Sequence, residues 1–136
     1  MRIISNLAYI LLVLGASCTG QAQKKSDDKP AGTEAEEVTV YYFHNTRRCA
    51  TCKAVEAQTK KSVQELYGDE VLFEALSLEA PQGEQKAEEL GVSGQTLLIA
   101  CGETQINLTN EGFMYARSNP DKLKQIIKEK IDPLVN

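Results

Sequence analysis

The stretch "YYFHNTRRCATCKAVEAQ", Tyr41–Gln58, runs from strand formers through two cysteines spaced two residues apart into an amphipathic segment. Upstream, Val38–Phe43 reads "VTVYYF", β-branched and aromatic throughout, which predicts a buried strand. Downstream of Ala50, Val55, Thr59, Val63 and Leu66 recur at helical spacing, while Lys60, Lys61 and Glu65 fill the opposite face. Gly68 is placed to close that helix. Cys49 and Cys52 therefore fall where a strand ends and a helix begins.

Working outward, Val71–Leu78 ("VLFEALSL") predicts a second strand, and Gln82–Leu90 a short polar helix stopped by Gly91. In "TLLIACGETQINL" two strand-like runs flank Gly102-Glu103, a two-residue link with glycine first, as a type II′ hairpin prefers. "SNPDKLKQIIKEKID" carries a helix start: Asn119 as N-cap, Pro120 in the first turn, and Asp121 at the positive dipole end. Leu123, Ile126, Ile127 and Ile131 form its apolar stripe, and Pro133 is expected to end it. The predicted order is β-α-β-α-β-β-α, an α/β class with a mixed sheet and helices on both faces. The first two strands pair in parallel through a helical crossover, and the hairpin supplies an antiparallel edge.

With 136 residues, 42% hydrophobic and 25% charged, the chain suits one ordinary globular domain, placed at 38–136. A formal charge of −4 leaves no basic footprint for nucleic acid. Before the domain, Met1-Arg2 and the apolar run "LAYILLVLG" (Leu7–Gly15) lead into "GASC", the pattern of a secretory signal peptide over 1–17. Ser5 and Asn6 keep the run short of the roughly 20 apolar residues a membrane span needs. Its removal takes away Arg2, the one charged residue there, and moves the formal charge from −4 to −5. Export to a bacterial cell envelope is the expectation.

"LGASC" resembles a lipoprotein signal with Cys18 as the lipidated residue, although Leu14 stands four positions before the cysteine and not three. The alternative is cleavage after Ala22, which discards Cys18. Thr19–Glu37 has no apolar residue larger than alanine, so 18–37 reads as a flexible tether with membrane contact only through a lipid. Either way Cys49, Cys52 and Cys101 are the remaining thiols.

The Cys49–Cys52 pair has three readings: a redox centre, a structural crosslink, or half of a metal site. A helix start offers unpaired N–H groups and about half a positive charge, and Arg47 and Arg48 add two guanidinium groups. Both favour a thiolate at Cys49, with Cys52 one turn further in as the resolving thiol. A crosslink over four residues removes little chain entropy, about 2 kcal/mol against more than 4 for loops near 100 residues. A closed zinc site needs four donors, and only His44 and Cys101 remain to complete one. Cys101 lies five residues after Thr96, about 16 Å along a strand, so it falls at the opposite end of the sheet from the pair. It reads as a buried strand thiol. The expectation is a redox-active disulfide with no metal and no further cofactor. His44, five residues before Cys49, shuttles protons or packs the loop. "NLT" (Asn107–Thr109), a glycosylation sequon, falls inside a predicted strand and is read as chance.

The hydrophobic strand, "CATC", the long helix, "GVSGQTLLI" and the Gly-Glu hairpin together resemble the thioredoxin superfamily over Val38–Asp132. More narrowly, "YYFHNTRRCATCKAVE" with "INLTNEGF" is similar to the envelope family of nitrophenyl compound nitroreductase subunit, ArsF type. That resemblance implies a reductive or arsenic-linked setting in which a partner subunit supplies any flavin or nicotinamide chemistry. The chain departs from the superfamily pattern at three places. Gln95 precedes Thr96 where a cis-proline is usual, and a trans peptide is expected there because a cis bond at a non-proline residue costs about 2.5–4 kcal/mol. Arg48 replaces a tryptophan, and "VTVYYF" lacks the buried acid. The resemblance implies an exported thiol–disulfide oxidoreductase or dedicated electron carrier. Cys49 and Cys52 are its reacting pair, Arg47, Arg48 and His44 tune the site or meet a partner, and Gln95 and Thr96 form a near-site loop. The partner is an envelope thiol or disulfide protein. The competing readings are a binding module that captures a soft metalloid such as arsenite, and a non-catalytic subunit of a reductase complex.

Overall fold

The computed structural model describes residues 36–136. The signal segment 1–17, Cys18 and all but the last two residues of the 18–37 tether lie outside the described residues. Eight elements follow: β1 Val38–His44, α1 Ala50–Tyr67, β2 Val71–Ser77, α2 Pro81–Glu89, β3 Thr96–Cys101, β4 Thr104–Asn107, α3 Thr109–Tyr115 and α4 Pro120–Val135.

The sheet order is β2-β1-β3-β4. β1 and β2 run parallel, from Val38 opposite Val71 to His44 opposite Ser77, joined by the α1 crossover. β3 lies antiparallel to β1 with Thr96 opposite Phe43, and β4 returns antiparallel to β3. Gly102 makes the hairpin link at φ +53°, a conformation glycine adopts without steric cost. Gly68 ends α1 at φ +58° and donates its N–H to Gln64 O at 3.1 Å.

The period of two along the strands sorts side chains between two layers. Val38, Val40 and Tyr42 of β1 share one core with Leu97, Ile99 and Cys101 of β3. α1 closes that core with Val55 and Val63, and α4 with Leu123, Ile127 and Ile131, all three fully buried. Each such aliphatic side chain contributes roughly 1.5–3 kcal/mol by leaving water. On the opposite side Tyr41 and Phe43 stack with ring centroids 5.9 Å apart, and Lys86 of α2 reaches over the Tyr41 ring at 6.0 Å. α2 comes close enough that a Cβ at Gly83 would stand 1.9 Å from Ser77 O. A four-stranded mixed sheet covered by helices on both faces, with a helix-start cysteine pair after its second-position strand β1, is a thioredoxin-like fold.

Two expectations need correcting. The strand run was expected to continue through Leu108, but β4 ends at Asn107 and Thr109 opens α3. Asn107 Oδ1 accepts from Thr109 N at 3.0 Å and from Thr109 Oγ1 at 2.6 Å, so the asparagine turns the chain locally in place of a ladder bond. The "NLT" triplet sits at this turn. Pro133, expected to end the last helix, lies inside α4. Proline so near a helix end frees only the Glu129 carbonyl, and Leu134 and Val135 pack against the core and keep the final turn wound.

α4 is tied to α1 at two places. Tyr67 Oη donates to Asp132 Oδ1 at 2.7 Å, and Lys124 Nζ donates to Glu65 Oε2 at 2.7 Å. These ties join the C-terminal end of α1, the helix that carries the cysteine pair at its start, to α4.

Candidate functional site: a disulfide at a helix start

Cys49 is the N-cap of α1, in extended conformation (φ −73°, ψ 169°). Its sulfur takes the role an aspartate or serine oxygen plays at ordinary caps: Cys49 Sγ accepts from Cys52 N at 3.1 Å. Cys49 O receives the first helical bond, from Lys53 N at 3.1 Å. Cys49 and Cys52 form a disulfide across a Cα–Cα separation of 5.1 Å. Cys49 is exposed, whereas Cys52 is 4% exposed. An attacking sulfur from outside therefore reaches Cys49 first.

The loop from β1 into α1 is pinned from below. Leu78 N donates to His44 O at 2.8 Å, and Thr46 N donates to Glu79 Oε1 at 3.1 Å. That bond from Thr46 holds the Glu79 carboxyl below the usual carboxylate range. Arg48 forms an ion pair with Glu56 on α1, so its positive charge is shared with a carboxylate two turns into the helix. Arg47 is exposed. His44 is half-buried, its Nδ1 lies 3.0 Å from Asn45 O, and its ring centroid is 5.9 Å from that of Tyr42. Burial raises the Tyr42 phenol above its ordinary pKa, with the Arg48 charge opposing the shift. Among the described residues Tyr42 Oη has no hydrogen-bond partner.

The β1–β3 register brings the second wall of the site. Thr96 pairs with Phe43, so the segment before β3 stands beside the cysteine pair. Gln95 Oε1 lies 3.6 Å from Cys52 Sγ. Thr96 Oγ1 donates to Gly94 O at 2.9 Å and fixes the turn that presents Gln95. There is no cis peptide bond among the described residues, in line with the trans peptide expected before Thr96. α3 flanks the same end: Thr109 Oγ1 accepts from Leu97 N at 3.0 Å, and a Cβ at Gly112 would stand 3.2 Å from Val55 Cγ1.

Cys101 is buried at the far end of β3, where its Sγ donates to Glu36 O at 3.4 Å. The structure thus brings together Cys49, Cys52, Gln95, Thr96 and Arg48 and leaves Cys101 apart. Among the described residues no group of three or more His, Cys, Asp or Glu side chains is arranged to hold a metal ion. Glu56 and Glu79 escaped the sequence reading. Arg48 precedes the helix, so no helical spacing links it to Glu56, and Glu79 meets Thr46 across 33 residues.

Strand order and the helix-start disulfide define a thioredoxin-like domain bearing a CxxC pair. No family model matches the chain, and no curated protein matches it. Among solved structures, one titled "Structure of a malarial protein" is 21% identical, with a TM-score of 0.48, and the match covers 68% of this chain and 94% of that one. Thioredoxin f2 of Chlamydomonas reinhardtii is 19% identical at a TM-score of 0.48, over 72% of this chain and 82% of its own. The fold class stands on the topology above, independently of these similarities.

Proposed function

We propose that this chain is an exported thiol–disulfide exchange protein, a dedicated electron carrier whose Cys49–Cys52 pair cycles between disulfide and dithiol. The observation that carries the reading is the cap: an exposed sulfur that accepts a helix-start N–H, with its partner sulfur buried one turn in. A thiolate is a far better acceptor at that place than a thiol, so the cap favours the ionised, nucleophilic form of Cys49.

In the reducing direction the Cys49 thiolate attacks one sulfur of a partner disulfide and releases the other as a thiolate. The Cys52 thiolate then attacks Cys49 Sγ, closes the Cys49–Cys52 disulfide and releases the second partner sulfur. Two electrons pass to the partner, and the two protons of the dithiol end on its thiols. The "LAYILLVLG…GASC" segment supports an envelope location, with Cys18 as the lipid anchor. The partner is then an envelope protein disulfide. The ArsF-type similarity of "YYFHNTRRCATCKAVE" supports a reductive assembly as the setting. Arg47, exposed beside the pair, is the cation placed to meet an acidic partner surface.

Thiol counting across a glutathione redox series tests this. The wild type is expected to show a reversible two-electron transition at a potential above about −300 mV. Cys52→Ser is expected to hold glutathione as a stable mixed disulfide on Cys49, and Cys49→Ser to hold none. A bond that stays closed across the whole series makes the pair a staple and ends the proposal. So does a dithiol that binds arsenite yet never oxidises.

A further inference from the structure

The geometry points to Gln95 as a positioning residue for the buried sulfur: its side-chain carbonyl holds the proton on Cys52 while Cys49 ionises, and so decides which thiol attacks first. This inference rests on the exchange reading above and assigns a role within it.

In the disulfide the 3.6 Å approach of Gln95 Oε1 to Cys52 Sγ is a polar contact, since that sulfur carries no hydrogen. In the dithiol the same spacing closes an S–H···O bond, and a bond to the neutral form disfavours ionisation. Cys49 has the opposite environment, because the N–H of Cys52 favours its anion. The two sulfurs are thus pushed apart by one amide each, backbone for Cys49 and side chain for Cys52. After the mixed disulfide forms on Cys49, Cys52 must give up its proton.

The placement is built rather than incidental. Thr96 sits in the β1–β3 ladder and its hydroxyl closes the turn on Gly94 O, so the backbone that presents Gln95 is fixed on both sides. Charged and titratable groups on the elements that flank this end include Cys49 as the N-cap of α1, Arg48 before it paired with Glu56, Lys53 on α1, Tyr42 and His44 on β1, and Glu111 and Tyr115 on α3. The segment 91–96 contributes no charge. Among the described residues Gln95 is the side chain within hydrogen-bonding reach of Cys52 Sγ.

The test is a titration of Cys52 by thiolate absorbance in the full chain carrying Cys49→Ser, with and without a change at Gln95. Gln95→Met keeps the length, removes the acceptor and is expected to lower the Cys52 midpoint, raising its thiolate fraction below the midpoint about threefold. A residue that merely fills space would leave the midpoint unmoved in Gln95→Met, because the sulfur stays covered. No shift, or an upward one, overturns the role; if Gln95→Met fails to fold, Gln95→Leu decides in its place. The glutathione series on the wild type runs beside it. Failed exchange there sinks the functional reading whatever Gln95 does, whereas unmoved midpoints with intact exchange sink only the role of Gln95.

Discussion

A single sulfur serves here as a helix cap, and the position was legible in the sequence because it follows from order alone. A strand run, a short loop with two arginines and an amphipathic period leave Cys49 nowhere but the helix start. The charge around it was less legible. Arg48 shares its charge with Glu56, a pairing that depends on how the loop folds back over the first turns of α1. Tyr42 was readable only as a strand former, yet its hydroxyl is buried without a partner among the described residues. Burying a hydroxyl unpaired costs about 1–3 kcal/mol, while the ring itself fills the core beside Leu97. Tyr42→Phe keeps the ring and removes the orphan. It is expected to raise stability by about 1 kcal/mol, read as a higher urea midpoint at unchanged slope. A lower midpoint means the hydroxyl has a partner that matters.

At the scale of elements, long periodic segments were readable and short contextual ones were not. α1 and α4 announce themselves through apolar stripes, whereas α3 follows a turn in which Asn107 Oδ1 accepts two bonds from Thr109, in a stretch that looks like the tail of a strand. The neighbouring of β3 and β1, which sets Gln95 beside Cys52, has no local signal because it joins residues more than 50 positions apart. The α1–α4 ties carry a pH dependence of definite sign. Hydrogen bonds from Lys128 and then Tyr67 hold the Asp132 carboxyl below its ordinary range, and Lys124 does the same for Glu65. A carboxyl depressed in the folded state stabilises it fully above the unfolded value, near 3.9 for aspartate and 4.3 for glutamate, and loses that contribution as pH falls through the folded value. Urea midpoints are therefore expected to hold from pH 7 down to about 5 and then drop towards pH 3. Asp132→Asn is expected to start lower at pH 7 and fall less steeply across the acid window. On the alkaline side Tyr67 works the other way: burial first, then its bond to Asp132, raises its pKa, so its contribution holds below about 10 and declines above. Parallel acid limbs in the wild type and Asp132→Asn contradict this account of the tie.

For the whole molecule the disulfide and the fold form a thermodynamic cycle: whatever folding does for the bond, the bond does for folding. A staple and a carrier predict different values for that mutual term. Closing a four-residue loop removes only about 2 kcal/mol of unfolded-chain entropy, and this is the ceiling of the benefit if the native geometry is indifferent. The reduced fold recovers part of it, because the opened Cys49 sulfur becomes a charged cap at the positive end of α1. The large core shared by β1, β3, α1 and α4 lies beyond the loop and is untouched by its opening. Oxidised and reduced chains are therefore expected to differ by less than about 2 kcal/mol in unfolding free energy, with both folded at 25 °C. By the cycle, that limit keeps the folded pair within about 45 mV of the unfolded one, since 30 mV corresponds to about 1.4 kcal/mol for two electrons. Denaturant curves with and without a strong reductant measure the difference directly. A reduced chain that unfolds outright, or loses well over 3 kcal/mol, makes the bond part of the scaffold, and a protein that must keep its disulfide to stay folded has no dithiol to offer a partner.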